Sequence, residues 1–169
     1  PEVKDRLVAE VESLRMGDVR DFTNFMGAVI DAGSFRDQKQ AIDEAQAASD
    51  ASILVGGSYD DRVGYFVRPT VIVTTDPRYR TMEVELFGPV LTVHVYDEAK
   101  VDEALELLDT TSPYALTGAV FSQDRYFLEK AFARLRNAAG NYYINDKPTG
   151  AVVGQQPFGG ARMSGTNDK

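Results

Sequence analysis

Residues 90–145, VLTVHVYDEAKVDEALELLDTTSPYALTGAVFSQDRYFLEKAFARLRNAAGNYYIN, switch repeatedly between two hydrophobic periods. From Val90 to Tyr96 the residues alternate, with Leu91, Val93 and Val95 on one face and Thr92, His94 and Tyr96 on the other, which predicts a strand. Val101, Ala104, Leu105 and Leu108 then fall on the i, i+3, i+4, i+7 template of a helix. Leu116–Phe121 reads as another strand. Ser122 reads as the cap of a helix carrying Leu128, Ala131, Phe132 and Leu135, and Asn141–Asn145 as a further strand. Successive strands joined by crossovers of about a dozen residues pair in parallel, with helices packed on the sheet. The fold class is therefore α/β, a mainly parallel open sheet with helices on it.

Working outward, Val3, Leu7, Val11 and Leu14 predict an amphipathic first helix. Ser34 is the expected N-cap of the next, with Phe35, Ala41, Ile42, Ala45 and Ala48 on one face. Ile53-Leu54-Val55 reads as a buried strand ended by Gly56-Gly57, and a polar loop leads to the β-branched run Thr70–Thr75. From residue 150 to 169 both periodicities vanish among glycines 150, 154, 159, 160 and 165, so this segment is expected to be irregular.

Composition narrows the chemistry. The chain has 169 residues, a net charge of −8, one histidine and no cysteine. The acidic balance argues against a nucleic-acid partner, which requires a basic face. No apolar run approaches a membrane span and no export leader is visible, so a membrane partner is not expected. Without cysteine there is neither a disulfide nor a thiolate nucleophile in this chain. His94 lies within a strand and is expected to be a hydrogen-bonded sheet histidine. Glu83–Glu85 and Asp60-Asp61 lack metal-ligand spacing and read as solvated loop charge, so no metal site is expected.

Two segments could carry chemistry. In Glu85-Leu86-Phe87-Gly88-Pro89 a carboxylate stands two residues before an aromatic ring, at a turn entering a strand. An ionised carboxylate can accept from two neighbouring hydroxyls, and the ring offers a flat packing surface. Taken alone, however, the pentapeptide reads as an acidic turn whose phenylalanine plugs the core. The loop from Gly150 to Gly165 contains neither a Walker A pattern nor GxGxxG. Its glycines would let backbone N–H groups converge on an anion, and a flexible tail is the equal alternative.

The same residues resemble a known family. Glu85–Pro89 followed by a strand is similar to the Glu-x-Phe-Gly-Pro signature of the NAD(P)-dependent aldehyde dehydrogenases, and Thr111–Phe121 to that family's second landmark. Arg136–Lys147 and Gly154–Arg162 resemble the branch that oxidises glutamate γ-semialdehyde with NAD in proline catabolism, the Δ1-pyrroline-5-carboxylate dehydrogenases. The resemblance implies that Glu85 accepts hydrogen bonds from the nicotinamide ribose and that Phe87 packs on the nicotinamide. It implies further that Gly150 and Ala151 offer N–H groups to the α-carboxylate of the aldehyde substrate, and that Phe158 walls its aliphatic stem. Relatives often carry Ser where this chain has Ala151, a hydroxyl worth roughly 1 kcal/mol if bonded.

In that family a cysteine thiolate attacks the aldehyde and hydride passes to NAD. On this resemblance residues 1–169 are expected to be the later part of a catalytic domain, with 150–169 its substrate-anchoring loop and truncated end. The NAD-binding domain, the cysteine segment and the oligomerisation tail would lie outside. The chain alone is then expected to be inactive, and its parent a homo-oligomer in bacterial cytoplasm or mitochondrial matrix. A non-catalytic scaffold or binding module with an aldehyde-dehydrogenase-like fold, and a bifunctional parent fused to a proline dehydrogenase, stay open as alternatives.

Overall fold

A computed structural model describes residues 2–152 and 154–166. Contacts divide the chain into two units, residues 1–95 and 96–169, each with a core of its own. Val153 and residues 167–169, which belong to the expected anchoring loop, lie outside the described residues, as does Pro1.

The first unit begins with α1 (Glu2–Ser13), where Glu2 and Asp5 complement the helix dipole in the first turn. Helix α2 (Ala32–Ala47) buries Phe35, Gln38, Ala41, Ile42 and Ala45 on one face. Its cap is Asp31, whose carboxylate accepts from the Ser34 N–H at 2.8 Å, and not Ser34 as expected. An ionised oxygen three residues upstream is the stronger acceptor for that orphan donor, so Ser34 becomes part of the first turn.

Strands β1 (Ala51–Val55), β4 (Thr70–Thr74) and β5 (Val90–His94) form one sheet in the order β1-β4-β5. Pairing of β4 with β5 is parallel, with Thr70 opposite Val90, and the connection carries the short helix α3 (Arg80–Glu83). Pairing of β1 with β4 is antiparallel, so this sheet is mixed. The reason is the connection: between β1 and β4 runs only a small antiparallel pair, β2 (Tyr59–Asp60) with β3 (Phe66–Val67), and no crossover helix. Phe35, Ile42 and Val67 form the core beneath, with Val29, Tyr59 and Val90 against it. His94 is the expected sheet histidine, its Nδ1 standing 3.1 Å from the Thr74 carbonyl.

In the second unit, α4 (Val101–Thr110) and α5 (Arg125–Leu135) pack through Leu105, Ala131 and Leu135, and Arg134 pairs with Glu106 at 2.7 Å across them. Asp124 caps α5 by accepting from Tyr126 and Phe127 N–H groups. Ser122, the expected cap, instead accepts from the Asp124 N–H at 3.0 Å. Strand β7 (Thr117–Val120) pairs in parallel with β8 (Asn141–Ile144), α5 being the crossover. The glycine-rich end is not wholly irregular: β9 (Ala161–Arg162) pairs antiparallel with β6 (Tyr114–Ala115).

Candidate functional site

Glu85 and Phe87 sit on the turn between α3 and β5 in the first unit. The expectation that Phe87 plugs the core is wrong: the side chain is 84% exposed and its backbone is left-handed, with φ 49°. A bulky residue in that region costs on the order of 1–2 kcal/mol, and burial does not offset it here. Glu85 is also exposed, so carboxylate and ring are both presented outward from one tight turn.

What shapes the turn comes from below. Gln38, 0% exposed on α2, donates from Nε2 to the Leu86 carbonyl at 2.6 Å. Gly88 lies over the same amide: a Cβ there would stand 2.3 Å from Gln38 Cδ, so any larger residue would have to push the amide aside. Pro89 then passes its carbonyl to the Thr70 N–H at 2.8 Å, registering the turn on β4. The neighbouring charges are also paired: Arg80 bonds Glu44 at 2.8 Å, and Arg78 lies 3.7 Å from Glu83. Asp60 of the other acidic cluster is held down to about pKa 2 by its Arg62 partner, and both are surface groups.

Gly150, Ala151 and Phe158 belong to the second unit. Gly150 has φ +119°, a conformation open to glycine, and neither its N–H nor that of Ala151 bonds another described residue. The segment beyond folds on itself, Gln155 and Gln156 N–H groups both reaching the Val152 carbonyl. Phe158 is half exposed, and its backbone is bracketed by one side chain on β8. Asn141 donates from Nδ2 to the Pro157 carbonyl at 2.9 Å and accepts on Oδ1 from the Gly159 N–H at 3.2 Å.

Two glycines permit the close approach: a Cβ on Gly140 would meet the Gly159 oxygen at 1.9 Å, and one on Gly160 the Ser164 oxygen at 2.1 Å. The far end is tied down as Ser164 Oγ accepts from Ala115 N–H at 3.0 Å and Arg162 pairs with Asp109. This end of the loop is thus not a loose tail.

The five expected residues therefore fall into two groups, Glu85 with Phe87 on one turn and Gly150, Ala151 and Phe158 on one loop. The supports Gln38 and Asn141 were missed. Gln38 had a signal, since it falls on the same apolar stripe as Phe35 and Ile42. Asn141 had none, because its partners lie sixteen and eighteen residues away in an aperiodic segment. Among the described residues there is no group of three or more His, Asp or Glu placed to hold a metal ion, and no helix long and apolar enough to cross a membrane.

Comparison with known proteins identifies the class. The aldehyde dehydrogenase family model matches residues 1–169, and the chain belongs to that family. It is 58% identical to the mitochondrial Δ1-pyrroline-5-carboxylate dehydrogenase of Dictyostelium discoideum over 169 residues, covering all of this chain and 30% of that protein. Its identity to the human mitochondrial enzyme of the same name is 53%, again over all of this chain and 30% of the relative. The crystal structure of the Mycobacterium tuberculosis enzyme superposes with a TM-score of 0.89 at 52% identity, over 99% of this chain and 31% of that one. A second crystal structure of that enzyme, bound with NAD, superposes with a TM-score of 0.85 at 53% identity, over 98% of this chain and 30% of that one. The chain thus spans about three tenths of the length of the relatives it matches.

Proposed function

We propose that this chain is the coenzyme- and substrate-gripping part of an NAD-dependent dehydrogenase. Its reaction is the oxidation of L-glutamate γ-semialdehyde, formed from Δ1-pyrroline-5-carboxylate, to L-glutamate in proline catabolism. The observation that carries this reading is Phe87, held in a left-handed conformation (φ 49°) on the same tight turn as the Glu85 carboxylate. Strain of that kind persists where the surrounding structure over-determines it, and a flat ligand for the ring gives it a purpose. Sequence identity of 58% and 53% to relatives of this activity supports the same reading.

The residues present fit the nicotinamide half of NAD. When bound, NAD supplies the hydride acceptor. Glu85, an exposed carboxylate on the same turn, would accept from the ribose hydroxyls, and Phe87 would pack on the nicotinamide ring. Gly150 and Ala151 donate their N–H groups to the substrate α-carboxylate, and Phe158 shields the methylene stem from water. No thiolate comes from this chain, which contains no cysteine. The intact enzyme is a homo-oligomer of the bacterial cytoplasm or mitochondrial matrix.

The test is NADH formation from glutamate γ-semialdehyde by the full-length protein that contains this sequence, beside the 169-residue chain alone. The full-length protein is expected to turn over and the chain is not. Turnover by the purified chain, or none by the full-length protein, would overturn the proposal, the latter in favour of a non-catalytic scaffold.

A further inference from the structure

We infer that Gln38 is a positioning residue for coenzyme binding: its buried amide sets the peptide plane from which Phe87 is projected. This inference rests on the assignment of Glu85 and Phe87 to the nicotinamide. Gln38 is the one polar residue among those buried on α2, and it is wholly inaccessible. A side chain chosen only for packing would be apolar there, because burying a primary amide is costly unless both its ends are bonded.

Only one end is. Nε2 reaches the Leu86 carbonyl at 2.6 Å across 48 residues of sequence, while Oε1 has no partner among the described residues. The orientation is fixed by chemistry, since a flipped amide would set oxygen against the carbonyl oxygen. The Leu86 carbonyl and the Phe87 N–H share one peptide plane. Holding that carbonyl fixes the plane about which Phe87 turns to φ 49°, and Gly88 lies so close over the amide that a Cβ there would displace it. A half-satisfied buried amide is thus retained at the point where it dictates the outward pose of the ring.

The experiment is steady-state kinetics of the full-length enzyme carrying Gln38→Met, which keeps length and bulk and removes both amide ends. Loss of the bond to Leu86 is offset in stability by loss of the orphan oxygen, so the thermal midpoint should hold. The KM for NAD should rise about fivefold, with the KM for the aldehyde unchanged. Gln38→Leu, which likewise removes the donor to the carbonyl, should raise the NAD KM by a similar factor, and it serves if the Met variant does not fold.

A folded variant with unaltered NAD KM, or with both constants raised alike, would overturn the inference. Phe87→Ala separates the two ideas. If it raises the NAD KM while the Gln38 variants do not, Gln38 is only structural. If it too leaves the NAD KM alone, the coenzyme assignment itself is wrong.

Discussion

The turn at residues 85–88 and the loop at residues 150–165 are both surface segments, but they are supported in different ways. One buried amide under Leu86, with Gly88 lying close over it, holds the turn, and its strain is concentrated in Phe87. Several shared contacts hold the far part of the loop: the Asn141 bracket, the packing of Gly140 and Gly160, and the β6–β9 pair. Its near part, Gly150 and Ala151, keeps N–H groups unbonded to other described residues. On the proposed function, the ring that would stack is held by a buried hydrogen bond, and the donors that would meet a carboxylate are left unbonded to other described residues. Preorganisation thus falls where orientation matters most.

The contrast breaks most visibly at the glycines. Gly140→Ala would drive a methyl into the Gly159 carbonyl and should cost about 3 kcal/mol, read as a lowered denaturation midpoint. Gly154→Ala meets nothing within 4 Å and suffers only from φ +77°, so about 1 kcal/mol is expected.

At the turn, stability and function should part company. Phe87→Gly removes an exposed ring and its strain. It should leave unfolding stability unchanged or raise it by up to about 1 kcal/mol, while the NAD KM of the full-length enzyme rises about tenfold.

Asn141→Ala unties the Phe158 backbone. On the proposed assignment of Phe158 to the substrate, the expected outcome is an aldehyde KM about fivefold higher with an unaltered NAD KM, since the two hydrogen bonds that bracket its backbone are lost.

The smallest effect concerns Asp43, whose pKa is lowered by its bonds to Lys39 and then Tyr59. A depressed carboxylate stabilises the fold above its unfolded pKa, and that contribution disappears as pH falls through the folded value. Acid titration of Asp43→Asn against the parent should therefore differ by less than about 1 kcal/mol near neutrality and converge below about pH 4.

Much of this architecture was legible because its periods are strong. The strands at Val90 and Asn141 and the helices at Val101 and Arg125 stand where alternation and helical spacing placed them. Ser34 and Ser122 failed as caps because an aspartate nearby accepts the orphan N–H groups better. The direction of β1 was hidden because a small β pair, not a helix, links it to β4.

The site was half legible. Residue types marked Glu85 and Phe87, but apolarity alone suggested a buried phenylalanine, and only the left-handed backbone turns it outward. Gln38 stood out as a polar residue on the apolar stripe of its helix, but its partner, like those of Asn141, lies in a distant segment, so spacing could not reveal either bond.

The most direct test compares Phe87→Ala with Phe158→Ala in the full-length enzyme, measuring KM for NAD and for the semialdehyde in each. The account predicts a crossed result, with Phe87→Ala raising the first constant alone and Phe158→Ala the second alone. If either variant left its own constant unchanged, or if the two raised the opposite ones, the division of coenzyme and substrate between turn and loop would be contradicted.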